Sequence, residues 1–90
     1  MVKLLKLYHL TGGYQGVDVY TDMVVAATSR SQALKMHPSG QGGDPFDKKH
    51  WENAYNSWAE SPMDVGITYI GTAAAQYKAP TIICTSFHGV

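Results

Sequence analysis

Residues 23–38, which read MVVAATSRSQALKMHP, constrain the fold more than any other part of the chain. Within this segment a pattern typical of a β-strand gives way to one typical of an α-helix. The apolar, β-branched run Met23–Ala27 predicts a buried strand. A capping box follows, in which the Ser29 side chain accepts from the Gln32 amide while Gln32 reaches back to the Ser29 N–H. Pro38 disfavours helical geometry in the residue before it and ends the helix. The segment therefore predicts a strand that turns directly into a short helix.

Periodicity and turn residues predict the remaining elements. The expected strands are Val2–Leu10, Val17–Ala27, Val65–Thr72 and Thr81–Phe87, and the expected helix is Arg30–Met36. The first strand has apolar residues on both faces, which favours a central position in the sheet. The order is strand, strand, helix, possible helix, strand, strand. It predicts one compact α+β domain over residues 1–90, with a mainly antiparallel four-stranded sheet and helices packed on one face.

The region between the first helix and the third strand is harder to assign. Three glycines within Ser39–Asp44 predict a mobile, exposed connection. Asp44 as the N-cap and Pro45 at the first helical position would begin a second helix. Such a helix would place four residues on one face, Trp51, Ala54, Tyr55 and Trp58. An extended segment from Trp58 onward is the alternative, and the pattern leaves both structures open for residues 48–60.

Charge and cysteine content exclude several classes of protein. The chain has 90 residues with 7 basic and 7 acidic side chains, so its formal net charge is zero. This argues against non-specific nucleic-acid binding and leaves little electrostatic protection against self-association, so we expect a homo-oligomer.

Cys84 is the only cysteine, which excludes an intrachain disulfide, and its apolar neighbours predict a buried strand residue. The N-terminal apolar pattern is too short for a membrane span and lacks a signal-peptide cleavage region, so we expect no membrane partner and a cytosolic protein.

Residues that could bind a metal or catalyse a reaction are scattered. The four histidines are His9, His37, His50 and His88. None has metal-ligand spacing with another histidine or with Cys84, so we expect no metal and no cofactor. At the end of a helix, a protonated His37 could meet the last carbonyl groups favourably.

A nucleophile–base pair is equally hard to assemble. Cys84 and His88 lie four residues apart in an extended strand, which is more than a hydrogen bond spans. Asp18 and Asp22 are too far apart along their strand to act as a glycosidase-type pair, and we expect both to be exposed to solvent. The sequence therefore predicts no catalytic residue.

Aromatic side chains give the clearest indication of binding. Phe46 and two tryptophans lie close to the glycine-rich segment, and Tyr14 or Tyr20 could join them. Aromatic residues dominate interface hot spots and stack on nucleobases, while lysines pair with phosphates or acidic partners. The candidate ligand- or partner-binding residues are Trp51, Tyr55, Trp58, Lys48, Lys49 and His37. The alternative, that both tryptophans cap the hydrophobic core, stays open.

A series of short motifs runs through most of the chain: a K-L-Y-x-L strand, V-V-A-A-x-S, an Ala-containing helix with His-Pro, a Trp, an I-G-x-A strand end and a C-terminal Ser-Phe strand. The residues that form these motifs are Lys6, Leu7, Tyr8, Leu10, Val24–Ala27, Ser29, Ala33, His37, Pro38, Trp58, Ile70, Gly71, Ala73, Ser86 and Phe87. The series resembles the pattern of a group of small, uncharacterised bacteriophage proteins. The resemblance implies a phage accessory protein of the host cytoplasm. Proteins of that kind often counter host defences by binding a host protein or by sequestering a nucleotide signal.

Residue chemistry and resemblance together favour a non-enzymatic binding protein that acts in counter-defence or host takeover. Its partner would be a host protein or a small nucleotide ligand. A virion or assembly component is the alternative function. A small hydrolase is the third possibility, and it lacks a nucleophile–base pair at local spacing.

Overall fold

The computed structural model describes residues 4–13, 17–52 and 57–89. Its strands are β1 (Lys6–Thr11), β2 (Val19–Ala27), β3 (Gly66–Thr72) and β4 (Thr81–His88). Its α-helices are α1 (Arg30–Leu34) and α2 (Lys48–Glu52), and short 3₁₀ helices cover Pro38–Gly40 and Pro62–Asp64. No helix in the described part of the chain is both long enough and apolar enough to cross a membrane.

The strands form one antiparallel sheet in the spatial order β3-β1-β2-β4. This confirms the α+β class, the antiparallel sheet and the central position of the first strand. Three residues have no partner in the register, namely Thr21 in β2, Ile70 in β3 and Ile83 in β4, and each marks a bulge or irregularity. The two edge strands therefore each contain one irregular position.

The main core lies on the face of the sheet that the helices cover. Its buried residues are Tyr8, Leu10, Met23, Val25, Ala27, Ala33, Met36, Trp58, Ala59, Val65 and Ile82. A smaller cluster of Leu5, Ala26 and Ala73 forms a separate core, with the partly buried Tyr77 packed against it. Val25, Ala26 and Ala27 are fully buried, which confirms the predicted buried strand at the end of β2.

The predicted direct turn from strand β2 into helix α1 is present, but one hydrogen bond of the predicted capping box has a different donor. The Ser29 hydroxyl accepts from the Gln32 N–H at 3.2 Å, as predicted. Gln32 Oε1, however, accepts from the backbone N–H of Thr28 at 2.7 Å and from the Thr28 hydroxyl at 2.8 Å, rather than from the Ser29 N–H. Gln32 thus ties the end of the strand to the helix, and the helix ends at Leu34, two residues earlier than predicted.

Two predictions about exposure are wrong. Cys84 is exposed rather than buried, because its strand is at the edge of the sheet. Asp22 is only half-buried and lies 2.9 Å from His9 Nε2, instead of being free in solvent. The hydrogen bond from His9 lowers the pKa of Asp22, and the bond from the Thr21 hydroxyl adds to this effect. Asp18 is exposed, as predicted.

The segment predicted to be a mobile connection is partly folded. Gly40 is buried in the first 3₁₀ helix, and a Cβ atom placed on it would lie 2.5 Å from the Pro45 Cα. The predicted helix start is also wrong. Asp44 accepts from the Phe46 N–H within a turn, and α2 begins only at Lys48, where the Asp47 carboxylate accepts from the Lys49 N–H. Residues 57–60 are not helical, so a continuous helix through Trp58 is excluded.

Candidate ligand pocket

A pocket of about 250 Å³ opens beside α2 on the helical side of the molecule. It is lined by Lys35, Phe46, Lys48, Trp51 and Pro62. These residues come from the end of α1, the turn before α2, α2 itself and the second 3₁₀ helix. The pocket thus combines two aromatic residues and a proline with two lysines, and its lining surface is mostly apolar.

Trp51 lines this pocket and is held by a hydrogen bond and by packing against the core. Its indole N–H donates to the Lys35 carbonyl oxygen at 3.1 Å, which ties α2 to the end of α1. Its ring packs against the main core and is partly buried. The hydrogen bond and the packing together hold the indole in one orientation at the pocket.

His37 lies behind Trp51 and is fully buried. The two rings meet edge to face, with centroids 5.0 Å apart. His37 Nδ1 accepts from the Ser39 N–H at 3.1 Å and lies 2.9 Å from the Ser39 hydroxyl, so the neutral ring carries its proton on Nε2. Burial lowers the pKa of His37 to about 4, and the charge of nearby His50 is a second cause. The prediction of a protonated His37 at a helix end is therefore wrong.

The turn that carries Phe46 is tied to the same histidines. The His37 N–H donates to the Pro45 carbonyl oxygen at 2.9 Å. His50 Nε2 lies 3.0 Å from the Asp44 carbonyl oxygen, and its ring stacks on His37 with a centroid separation of 6.0 Å. These contacts hold the turn against α2, so the segments that carry Phe46 and Trp51 are connected through His37 and His50.

The structure brings together only part of the predicted site. Trp51 and Lys48 line the pocket, and His37 supports it from behind. Lys49 is exposed on α2 and does not line the pocket. Trp58 is fully buried in the main core, which agrees with the alternative interpretation for that tryptophan. Tyr55 lies outside the described residues.

Two lining residues, Lys35 and Pro62, gave no signal in the sequence. They lie 27 residues apart, and only the tertiary fold brings them to α2. Phe46 belongs to the wider aromatic group around the glycine-rich segment, so its presence at the pocket is consistent with that pattern.

The residues that line the pocket are lysine, phenylalanine, tryptophan and proline. The set offers cations and aromatic surface, but no hydroxyl, thiol, imidazole or carboxylate group to act as a conventional nucleophile or base. Within residues 4–13, 17–52 and 57–89, no group of three or more His, Cys, Asp or Glu side chains could hold a metal ion. No protein-family model, curated protein or solved structure matches this chain.

Proposed function

We propose that this chain is a non-enzymatic phage accessory protein that binds a nucleotide signal in the host cytoplasm. The observation that supports nucleotide binding is the pairing of Trp51 and Phe46 with Lys35 and Lys48 in one pocket. An aromatic side chain that stacks on a base contributes about 1–3 kcal/mol, and lysine is a common phosphate-binding residue. The phage origin and the counter-defence role rest on the sequence resemblance.

The pocket volume limits what can enter. About 250 Å³ is slightly below the range of roughly 300–1,000 Å³ that is typical of sites for drug-sized ligands. A single base therefore fits this volume better than a whole dinucleotide does. We expect the base to enter the pocket and the phosphate to remain near its rim, within reach of the exposed lysine side chains.

Nucleotide binding can be tested by calorimetric titration with a panel of nucleoside monophosphates, diphosphates and cyclic nucleotides. Trp51→Ala removes a stacking surface and should weaken binding by about 5- to 150-fold, the equivalent of about 1–3 kcal/mol. Lys48→Gln should weaken binding of nucleotides but not of the corresponding nucleosides. Lys49→Gln is the matched control, because this exposed neighbour on α2 does not line the pocket.

The folding of each variant must be measured alongside, since Trp51 also packs against the core. If Trp51→Ala abolishes cooperative unfolding, the two lysine variants alone decide the question. Equal losses for Lys48→Gln and Lys49→Gln would show general electrostatic attraction and contradict the proposed site. A wild-type protein that binds no nucleotide at millimolar concentration would refute the proposed ligand and favour a host protein as partner.

A further inference from the structure

The two edge strands of the sheet contain no charged side chain. β3 reads GITYIGT and β4 reads TIICTSFH, and neither contains Asp, Glu, Lys or Arg. The inner strands, by contrast, hold Lys6 and Asp22. Natural edge strands are commonly protected by charges that prevent pairing with another molecule. The distribution here is the reverse of that arrangement, so neither edge strand carries a charge that would oppose pairing with a further strand, although the Thr85 hydroxyl of β4 donates to Gln41 Oε1 at 3.0 Å.

Large exposed apolar side chains lie on the same two strands. Tyr69 and Ile70 of β3 are 57% and 51% exposed, and Phe87 of β4 is 52% exposed. The Phe87 ring packs edge to face against Tyr20 with centroids 4.9 Å apart, so it has a defined position beside the edge. A strand added next to β4 would cover part of this ring.

β4 offers the more regular of the two edges. In β3 the irregular position Ile70 is followed by Gly71 at φ +149°, which leaves only Gly66–Tyr69 regular before it. In β4 the skipped residue Ile83 is near the start, and none of the five residues Cys84–His88 is skipped, although the bulge at Thr21 of β2 lies opposite Ser86 and Phe87. Because the extra residue of a bulge interrupts pairing on its own strand, an added strand would find a longer run without an extra residue in β4.

We propose that β4 pairs antiparallel with β4 of a second copy of this chain, so that one sheet continues through a two-fold dimer. An isologous interface brings the same strand of both copies together, with residue i of one copy against residue j of the other and the reverse, and an uncharged strand tolerates this without repulsion. The zero net charge of the chain likewise adds no overall repulsion between copies. With the axis at Ser86, Thr85 would face the partner's Phe87, and main-chain hydrogen bonds would join the two strands.

The oligomeric state of the full chain tests this proposal by sedimentation equilibrium. We expect wild-type protein to be a dimer. Ser86→Lys should weaken dimerisation at least tenfold, because it places two ammonium groups beside the axis. Thr68→Lys is the matched control on β3, since Thr68 is also exposed on an edge strand. This control should leave the dimer intact.

A disulfide test keeps the proposal falsifiable even if Ser86→Lys fails to fold. In a Cys84→Ser background, Ser86→Cys should crosslink across the axis under mild oxidation, because directly opposite residues of antiparallel strands have Cβ atoms about 4.5–5.5 Å apart. Thr68→Cys in the same background should not crosslink. A monomeric wild-type protein, a dimer weakened by Thr68→Lys but not by Ser86→Lys, or crosslinking only through Thr68→Cys would overturn the proposal.

Discussion

Acidification should destabilise this protein through one buried side chain, His37. Burial lowers the pKa of this ring from its ordinary value of 6.5 to about 4. In the unfolded chain the ring is solvated and protonates near its ordinary pKa. Between these two pKa values the unfolded state binds a proton that the folded state does not bind. The free energy of unfolding must therefore fall as the pH falls from about 6.5 towards 4.

The size of the effect follows from the separation of the two pKa values. Each pKa unit corresponds to about 1.4 kcal/mol, so the full loss below pH 4 is about 3 kcal/mol, of which about 2 kcal/mol is already present at pH 5. Small domains have a total stability of about 5–15 kcal/mol, so this loss is large. Asp22 acts in a lower window. Its pKa is lowered from 3.8, so its contribution is present above that value and is lost only at more acidic pH.

Urea unfolding at pH 7 and pH 5, at matched ionic strength, measures this loss. His37→Asn is the informative variant, because its Oδ1 can still accept from the Ser39 N–H while the side chain no longer titrates. The variant should be less stable at pH 7, since it leaves space beside Trp51, but its stability should change by less than about 1 kcal/mol between the two pH values. His88→Asn, at the exposed end of β4, should keep the wild-type difference. A His37→Asn protein that still loses about 2 kcal/mol would refute the assignment to His37.

Two further predictions concern the scaffold, and urea unfolding tests both. Gly12→Ala should lower the free energy of unfolding by about 1–3 kcal/mol, because the new Cβ would lie 2.6 Å from the carbonyl oxygen of Trp58 and 2.8 Å from its ring. Gly13→Ala is the control. Its Cβ would have no neighbour closer than 3.6 Å, so this variant should be neutral or stabilising by up to about 1 kcal/mol. Equal effects at the two glycines would contradict this account of the contact. Gln32→Ala should cost about 0.5–1.5 kcal/mol through the loss of both hydrogen bonds from Thr28, and an unchanged midpoint would show that this link contributes nothing.

The scaffold could be predicted because its signals are local. The strand at residues 23–27 and the Ser29 cap each depend on neighbours within a few positions, and both are present in the structure, whereas the helix ends at Leu34, before the predicted stop at Pro38. The predicted donor to the Gln32 side chain, the Ser29 N–H, is wrong by one residue. The neighbouring Thr28 also has an N–H and a hydroxyl, and Gln32 accepts from both of these groups instead. Local patterns therefore predicted the elements well, and their ends less well.

The exposure of individual side chains could not be predicted in the same way, because it depends on distant neighbours. Trp51 and Trp58 are the same residue type seven positions apart, yet one lines a pocket and the other is fully buried. The difference arises where Gly12, more than forty residues away, lets the chain pack directly onto Trp58. The apolar neighbours of Cys84 predict an interior position, but the spatial order of the strands places it at an edge.

The His37-Pro38 pair shows how a local signal can be read correctly while its consequence is missed. Proline holds the preceding residue in extended geometry, and His37 indeed has φ −119° and ψ 134°. That geometry turns the imidazole into the cap of the next 3₁₀ helix, where Nδ1 must accept a hydrogen bond and therefore carries no proton. Because the same ring packs against Trp51, protonation of His37 would disturb both the cap of the 3₁₀ helix and the position of Trp51 at the pocket. Stability should thus decline as the pH falls from about 6.5 towards 4, whereas the packing against Trp51 should be disturbed only near pH 4, where the folded protein itself gains the proton.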